Sequence, residues 1–156
     1  MAKRLTASDG AAKVRGMQKA EEIIAALELA PHPEGGWYRE TWRAVAKPGV
    51  RAGGTAIHFL LEAGQRSHWH RVDADEIWFW HAGAPLELHV QRAHGAVDRV
   101  ALGPDVLAGE TPQALVPAGR WQAADSGAGW TLVSCVVVPG FEFAGFELAP
   151  PDWVPA

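Results

Sequence analysis

Only one stretch of the chain has the periodicity of a helix, and it lies near the N-terminus. Between Met17 and Leu29, apolar residues recur at intervals of three or four, which places them on one helical face. That face consists of Ala20, Ile23, Ile24 and Leu27. Pro31 and Pro33 follow, so the pattern predicts an amphipathic helix that ends before them.

The remainder of the chain alternates between short apolar or aromatic runs and turn residues. These runs recur roughly every 8–12 residues, the spacing that is typical of a β-sandwich or barrel. The predicted strands are Trp37–Trp42, Thr55–Glu62, Ser67–Val72, Glu76–His81, Leu86–Gln91, Val97–Leu102, Gln113–Val116, Trp121–Ala124 and Trp130–Val138. We therefore expect a mainly all-β fold with one helix in front of it.

The chain is long enough for one domain, because 156 residues could hardly fill two hydrophobic cores. Residues 1–16 lack periodicity and are predicted to form a flexible N-terminal extension. Residues 17–156 are predicted to form the single domain.

Charge and composition narrow the classes of partner. The net charge of −4 argues against nucleic acid, which requires a basic face. The sequence contains no apolar run long enough to span a membrane and no secretory h-region, so we expect a cytoplasmic location. The single cysteine, Cys135, lies in an apolar run and is predicted to be a buried, inert thiol.

The densest chemistry lies between Gly64 and Gly83, where histidines, acids and tryptophans are interleaved. Strand alternation predicts that His68 and His70 share one face and that Ser67 lies on the other. If the flanking strands form a hairpin, His70 and Glu76 face each other across it. A histidine and a carboxylate that converge in a cavity form an acid–base pair, or part of a metal site.

Several other side chains are candidates for ligand contacts. Eight tryptophans against one tyrosine indicate indoles that fill a core or line a pocket. Near Gly35-Gly36, which permit close backbone approach or a left-handed turn, charged groups could reach a barrel mouth. Together with the amides, these ligand-binding candidates are Glu34, Arg39, Ser67, Trp78, Gln113, Trp121 and Gln122.

The spacing of this segment resembles the first motif of the cupin superfamily, G-x5-H-x-H-x3-4-E-x6-G. Gly64, His70, Val72, Glu76 and Gly83 stand at its fixed positions. Val72 replaces the second metal histidine of that motif. Of the four metal ligands that are customary in cupins, His70 and Glu76 therefore remain in this motif.

The second cupin motif, P-x-G-x2-H, is matched by Pro117, Gly119 and Gln122, where Gln122 replaces the last metal histidine. A narrower resemblance is to the RmlC-like cupin family of unknown function labelled "predicted sugar epimerase". It rests on Pro31–Thr41, Thr55–Leu61, Asp75–Trp78, Ala82–Leu86, Gly109–Gln113, Val116–Gly119 with Trp121, Pro139–Phe143 and Phe146–Pro150. The resemblance implies a double-stranded β-helix jelly roll, usually a homodimer.

Three functions are consistent with these residues. The first is a metal-independent isomerase or epimerase that acts on a sugar-like or other polar small molecule, with His70, Glu76 and Tyr38 as catalytic candidates and no cofactor. The second is a non-catalytic module that binds a small ligand. The third is a metal-dependent cupin oxygenase with an incomplete ligand set, whose divalent metal would be held by His70, Glu76, Gln122 and His68.

Overall fold

The computed structural model describes residues 19–156, so the predicted extension lies outside the described residues. The first described element is a helix, α1, over residues 19–26. It ends before the prolines because Glu28 adopts a left-handed conformation with φ of 54°. Among the described residues, no helix is long and apolar enough to cross a membrane.

Eleven strands follow the helix. In chain order they are β1 (Ala30–Pro31), β2 (Trp37–Arg43), β3 (Thr55–Leu61), β4 (Arg66–Val72), β5 (Asp75–Gly83), β6 (Leu86–Gln91), β7 (Val97–Leu102), β8 (Gln113–Val116), β9 (Gln122–Asp125), β10 (Thr131–Val138) and β11 (Phe146–Leu148). Two 3-10 turns, Val106–Ala108 and Phe143–Gly145, interrupt the connections.

The strands form two facing antiparallel sheets, which confirms the predicted jelly roll. One sheet has the order β1-β2-β3-β10-β5-β8, and the other has the order β11-β4-β9-β6-β7. All nine predicted strands are present, with ends that move by at most two residues. The two strands that the pattern did not predict, β1 and β11, have only two and three residues, too few for alternation to show.

The main core lies between the two sheets and is formed by inward side chains of both, such as Phe59, Trp78 and Leu88. A smaller cluster lies on the outer face of the six-stranded sheet. There Ala20 of α1 packs with Leu60 and with the half-buried Trp130. The helix therefore covers one end of that sheet with the apolar face that the sequence predicted.

The Gly35-Gly36 pair forms a left-handed turn and also allows a close approach between two backbone segments. Both residues have positive φ values, 104° and 81°. A Cβ atom at Gly35 would lie 2.2 Å from the carbonyl oxygen of Arg66, far inside contact distance. This left-handed turn therefore presses the segment before β2 against the start of β4.

We predict that Gly35→Ala lowers the free energy of unfolding by about 2–4 kcal/mol, because it adds left-handed strain to a backbone clash. Gly64→Ala is the matched control, since Gly64 has φ of 73° but open space around its Cβ position. It should cost about 1 kcal/mol. Chemical denaturation measures both values, and equal losses would contradict the close approach.

Candidate functional site

A cavity of about 560 Å³ opens between the sheets. This volume lies within the range of small-molecule sites, roughly 300–1,000 Å³. Its polar lining includes Glu34, His70, Glu76 and Tyr38, and its apolar lining includes Val72. Four residues that the sequence singled out by different arguments therefore meet in one cavity.

A bulge in β4 decides which side chains reach this cavity. The pairing of β4 with β9 shifts register between Ser67 and His70. As a result Ser67 and His70 both point inward, and the intervening His68 points outward, where its Nε2 lies 2.8 Å from the carbonyl oxygen of Pro150. Simple alternation predicted a shared face for His68 and His70; the extra residue of the bulge removes it.

His70 is held in one orientation by its own strand. Its Nδ1 lies 2.7 Å from the carbonyl oxygen of His68, so Nδ1 carries a proton and donates it. Its Nε2 lies 3.3 Å from Oε2 of Glu34. His70 is 2% exposed, and burial lowers its pKa against the opposing influence of Glu76. The nitrogen that can gain or lose a proton therefore faces a carboxyl group.

Glu34 is buried on the turn before β2 and has few polar partners. The Ser67 hydroxyl donates to its Oε1 at 2.9 Å, and Nδ1 of His32 lies 3.5 Å from its Oε2. Burial raises the pKa of Glu34 from its ordinary value of 4.5 to about 8, although the hydrogen bond from Ser67 opposes the rise. Glu34 and His70 are therefore positioned to exchange one proton near neutral pH.

His32 completes this polar floor as a neutral imidazole. The backbone N–H of Glu34 donates to His32 Nδ1 at 3.2 Å, so that nitrogen carries no proton. Burial, and secondarily the charge of His70, lowers the pKa of His32 to about 4. His32 is not among the candidates named from the sequence, and the structure places it in the cavity lining.

Glu76 is the second buried carboxyl group of the cavity. The Gln122 amide nitrogen donates to its Oε2 at 2.7 Å, and the Trp78 indole donates to the Gln122 oxygen at 2.9 Å. Cys135 lines the same cavity. Burial raises the pKa of Glu76; His70 opposes this rise and Glu34 adds to it. The indole and the amide thus form a relay that fixes the carboxyl group.

His70 and Glu76 face each other between the sheets and not across a hairpin. His70 lies on β4 of the five-stranded sheet, and Glu76 lies on β5 of the six-stranded sheet. Both line the cavity, and their charges interact. The predicted convergence of the two groups is therefore present, with a different strand arrangement.

The mouth of the cavity carries charges and phenylalanines. Arg39 donates to the Glu28 carboxylate at 2.6 Å, and Arg43 donates to both Glu40 oxygens at 2.9 and 2.7 Å. The apolar wall is contributed by three phenylalanines whose ring centroids lie 5.0–6.0 Å apart. They are Phe141, Phe143 and Phe146.

Three of the ligand-binding candidates lie away from the cavity. Trp78 is 1% exposed and packs in the core with its ring centroid 5.8 Å from that of Phe59. Trp121 lies outside the five-stranded sheet, where it stacks on Trp153 at 4.4 Å. Gln113 is exposed at the start of β8. Tyr38 and Arg39 do line the cavity, and Gln122 and Ser67 orient its two carboxyl groups.

Sequence reasoning missed the phenylalanine wall and the role of Cys135. The tryptophan excess drew attention to indoles, whereas the cavity is walled by phenylalanines that follow β10. Cys135 is buried, as predicted, and its side chain also reaches the cavity. Its inward direction follows from alternation along β10, since Val133, Cys135 and Val137 are all buried. That signal was available in the sequence.

The residues at the cupin metal positions do not fit a metal ion. Val72 offers no donor atom. The Gln122 oxygen accepts from Trp78, and its amide nitrogen is turned toward Glu76. His68, the remaining candidate ligand, points to the outer side of β4, where its Nε2 is within hydrogen-bond distance of the Pro150 carbonyl oxygen. At the four cupin positions only His70 and Glu76 carry a free ligating group, which is too few for a typical site.

Within residues 19–156, one cluster of three side chains with metal-ligating atoms is close enough together to hold a metal ion. This cluster lies outside the cavity. Glu87, His89 and Asp125 place one ligand atom each within 4.8 Å of the others. His89 Nε2 lies 3.0 Å from Asp125 and 3.1 Å from Glu87. The carboxylates also pair with Arg66 and Arg99, so the cluster is a balanced charge network.

The sheets, the cavity and its motif residues define a cupin. A family model described as "Cupin superfamily (DUF985)" matches residues 21–149, and the chain therefore belongs to this family. Fold and cavity together make it a small-molecule-binding cupin. Among curated proteins, none matches the chain.

Solved structures agree with this assignment. A protein from Shewanella oneidensis is 42% identical, with a TM-score of 0.78 over 83% of this chain and 84% of that one. A hypothetical protein from Leishmania major is 38% identical, with a TM-score of 0.76 over 83% and 86%. Oxalate decarboxylase from Bacillus subtilis is 14% identical, with a TM-score of 0.60 over 76% and 29%, and is similar in fold alone.

We predict that stability falls as pH rises from 6.5 to 8.5. Glu34 keeps its proton in the folded state up to about pH 8 but loses it near 4.5 when unfolded. The folded protein therefore binds more protons in this window, and each pH unit removes up to about 1.4 kcal/mol. His32 has the opposite effect, but only between its folded pKa of about 4 and its ordinary value of 6.5.

Glu34→Gln should flatten this decline, leaving the contribution of Glu76, whose pKa is also raised by burial. Glu87→Gln, on the outer face, serves as the control and should keep the wild-type slope. Thermal melts at several pH values measure the slopes. An unchanged slope in Glu34→Gln would contradict the protonation of this buried carboxyl group.

Proposed function

We propose that this cupin is a metal-independent proton-transfer enzyme of the isomerase or epimerase type that acts on a polar small molecule. The observation that carries the proposal is the buried Glu34–His70 pair, whose facing atoms lie 3.3 Å apart in the cavity. A carboxyl group with a pKa of about 8 suits proton transfer near neutral pH, where a catalytic group gives and takes a proton readily.

The reaction we propose removes a proton from a carbon next to a carbonyl and returns it to that carbon. The Glu34–His70 pair accepts the proton, and the C–H electrons move to the carbonyl oxygen to form an enolate. Glu76, with its raised pKa, is placed to donate a hydrogen bond to that oxygen. Tyr38 lines the same cavity and is the proposed acid for return of the proton on the opposite face.

Metal independence is part of the proposal and rests on the donor set. Val72 and the engaged Gln122 leave two ligands at the cupin positions. His70 Nε2 lies 3.3 Å from the Glu34 carboxyl group, and the Gln122 amide nitrogen donates to Glu76. We accordingly propose that the reaction uses no cofactor. A cytoplasmic location stays a prediction.

A second candidate, ligand binding without turnover, is favoured by one observation. The apolar wall of Phe141, Phe143 and Phe146 provides contact area on one side of the cavity, as a binding site alone would require. The two candidates differ in whether a carbon-bound hydrogen exchanges with solvent.

We expect the wild-type protein in D₂O to exchange hydrogen at the carbon next to the carbonyl of its substrate. The probes are aldoses, ketoses, and their 2-amino and 6-phosphate derivatives, followed by NMR. His70→Asn should slow exchange by about 10²-fold or more, the size of a general acid–base contribution. Glu34→Gln should cause a similar loss.

His94→Asn is the matched control, because His94 is exposed in the loop between β6 and β7. It should exchange at the wild-type rate. Undiminished exchange in folded His70→Asn would refute the catalytic role. Binding of a probe with no exchange in any variant would support the binding module.

We also propose that the protein is a homodimer that covers the outer face of the six-stranded sheet. Strand register aligns one apolar row across that face, consisting of Trp42, Ala56, Val136, Ile77 and Leu115. Trp42 and Leu115, at its two ends, are 53% and 55% exposed. A continuous, partly exposed apolar row of this kind is typical of a surface that a partner covers.

Leu115→Glu should convert the dimer to a monomer, because it places a charge in this row. Light scattering should give twice the 16.8 kDa of one chain for the wild type and a single chain for the variant. Leu107→Glu, at a residue of the 3-10 turn that is 101% exposed, should remain dimeric. A monomeric wild type would refute the dimer.

A further inference from the structure

The cavity has an uneven set of charged groups. Its described lining contains carboxyl groups from five residues and guanidinium groups from two. The carboxyl groups belong to Glu28, Glu34, Glu40, Glu76 and Glu142, and the guanidinium groups belong to Arg39 and Arg43. The two histidines of the lining, His32 and His70, have lowered pKa values because they are buried, so both are neutral at pH 7.

Both arginines already have carboxylate partners at the mouth. Arg39 pairs with Glu28, while Arg43 binds both Glu40 oxygens and also donates to the carbonyl oxygen of Phe141 at 3.0 Å. An anionic ligand would have to displace these partners. Phosphate and carboxylate ligands usually bind where a guanidinium fork or an ammonium group can reach them.

The two carboxyl groups that remain in the interior lack a cationic partner. Glu34 is 9% exposed and Glu76 is 6% exposed. The charge of Glu34 disfavours ionisation of Glu76 and raises the pKa of Glu76 further. Two such groups in one water-poor cavity ionise together only when a positive charge lies near them.

The remaining walls are apolar and partly aromatic. The phenylalanine wall is joined by the half-buried Ile57 and by the buried Val72 and Val137. An aromatic face attracts a cation as well as an apolar surface. The cavity thus combines acceptor groups at its floor with a hydrophobic wall.

From this arrangement we infer that the cavity selects small organic cations, whose ammonium group meets Glu34 and Glu76 while an apolar part contacts the phenylalanine wall. It excludes ligands that carry phosphate or carboxylate. The inference deepens the proposed function, because it concerns the same cavity and names the chemical class of its substrate. Sugar nucleotides, which carry phosphates, are thereby excluded as substrates.

Cation binding should release a proton from the protein below pH 8. At pH 6.5 Glu34 is neutral, and an ammonium ion favours its carboxylate form. The groups that face Glu34 are His32, His70 and Ser67, and the charge of Glu34 also interacts with Glu76 on β5 of the six-stranded sheet. Affinity should therefore rise between pH 6.5 and 8, by up to tenfold per pH unit.

Three probes with one apolar body and different head groups test the inference: benzylamine, benzyl alcohol and benzoate. Calorimetric titration at pH 7.5 should show benzylamine binding at least about tenfold more tightly than benzyl alcohol and about 100-fold more tightly than benzoate, ratios expected for pairing with a buried charge. Titration in two buffers of different ionisation enthalpy measures the released proton.

Variants localise the selectivity. Glu34→Gln and Glu76→Gln should each reduce the ratio of benzylamine to benzyl alcohol affinity, and the double variant should abolish it. Glu87→Gln, on the outer face, is the control and should keep the wild-type ratio. Circular dichroism verifies that each variant is folded, and benzyl alcohol binding verifies that the cavity persists.

The outcomes separate this inference from the proposed catalysis. Selective benzylamine binding without deuterium exchange in any amine probe would support the cation site and count against the enzyme. Equal or tighter binding of benzyl alcohol or benzoate would overturn the inference and leave the cavity as a ligand site. Selectivity that survives in the double variant, or no binding of any probe, would also overturn it.

Discussion

The protein depends on the cost of keeping carboxyl groups away from water. Glu34 and Glu76 are buried in a cavity whose described arginines are paired at the mouth, so proton uptake and hydrogen bonds compensate for the lost hydration. The Ser67 hydroxyl, the Gln122 amide and the fixed imidazole of His70 all serve this purpose. The same burial that makes these carboxyl groups costly also raises their pKa values toward neutral pH.

The two sheets contribute different parts of this arrangement. The five-stranded sheet carries His70, Ser67 and Gln122, which contact and orient the two buried carboxyl groups. The six-stranded sheet carries Glu76 and Cys135. Glu34 belongs to neither and is brought in by a glycine turn that allows the chain to approach β4 closely. The site is thus assembled across the interior, and its geometry depends on how the two sheets pack.

Much of the fold was readable from alternation and turn residues, and His70 with Glu76 from motif spacing. The remainder depended on geometry that alternation does not encode. One extra residue in β4 reversed the faces expected for Ser67 and His68. Pairing of Glu34 with His70 requires a contact between segments 36 residues apart, which no local pattern reports. The tryptophan excess was informative about the core and the outer face, while the cavity wall came from Phe141, a 3-10 turn and the short strand β11, which are too brief to show a period.

The bulge in β4 makes the local irregularity of strand pairing part of the site. Regular pairing with β9 along residues 67–70 would place Ser67 and His70, three positions apart, on opposite faces and turn one of these two side chains away from Glu34. Loss of Ser67 would leave the carboxyl group without its hydroxyl donor, and loss of His70 would remove the imidazole. The irregular pairing of this strand, as much as the identity of its side chains, therefore holds the acid and its base together.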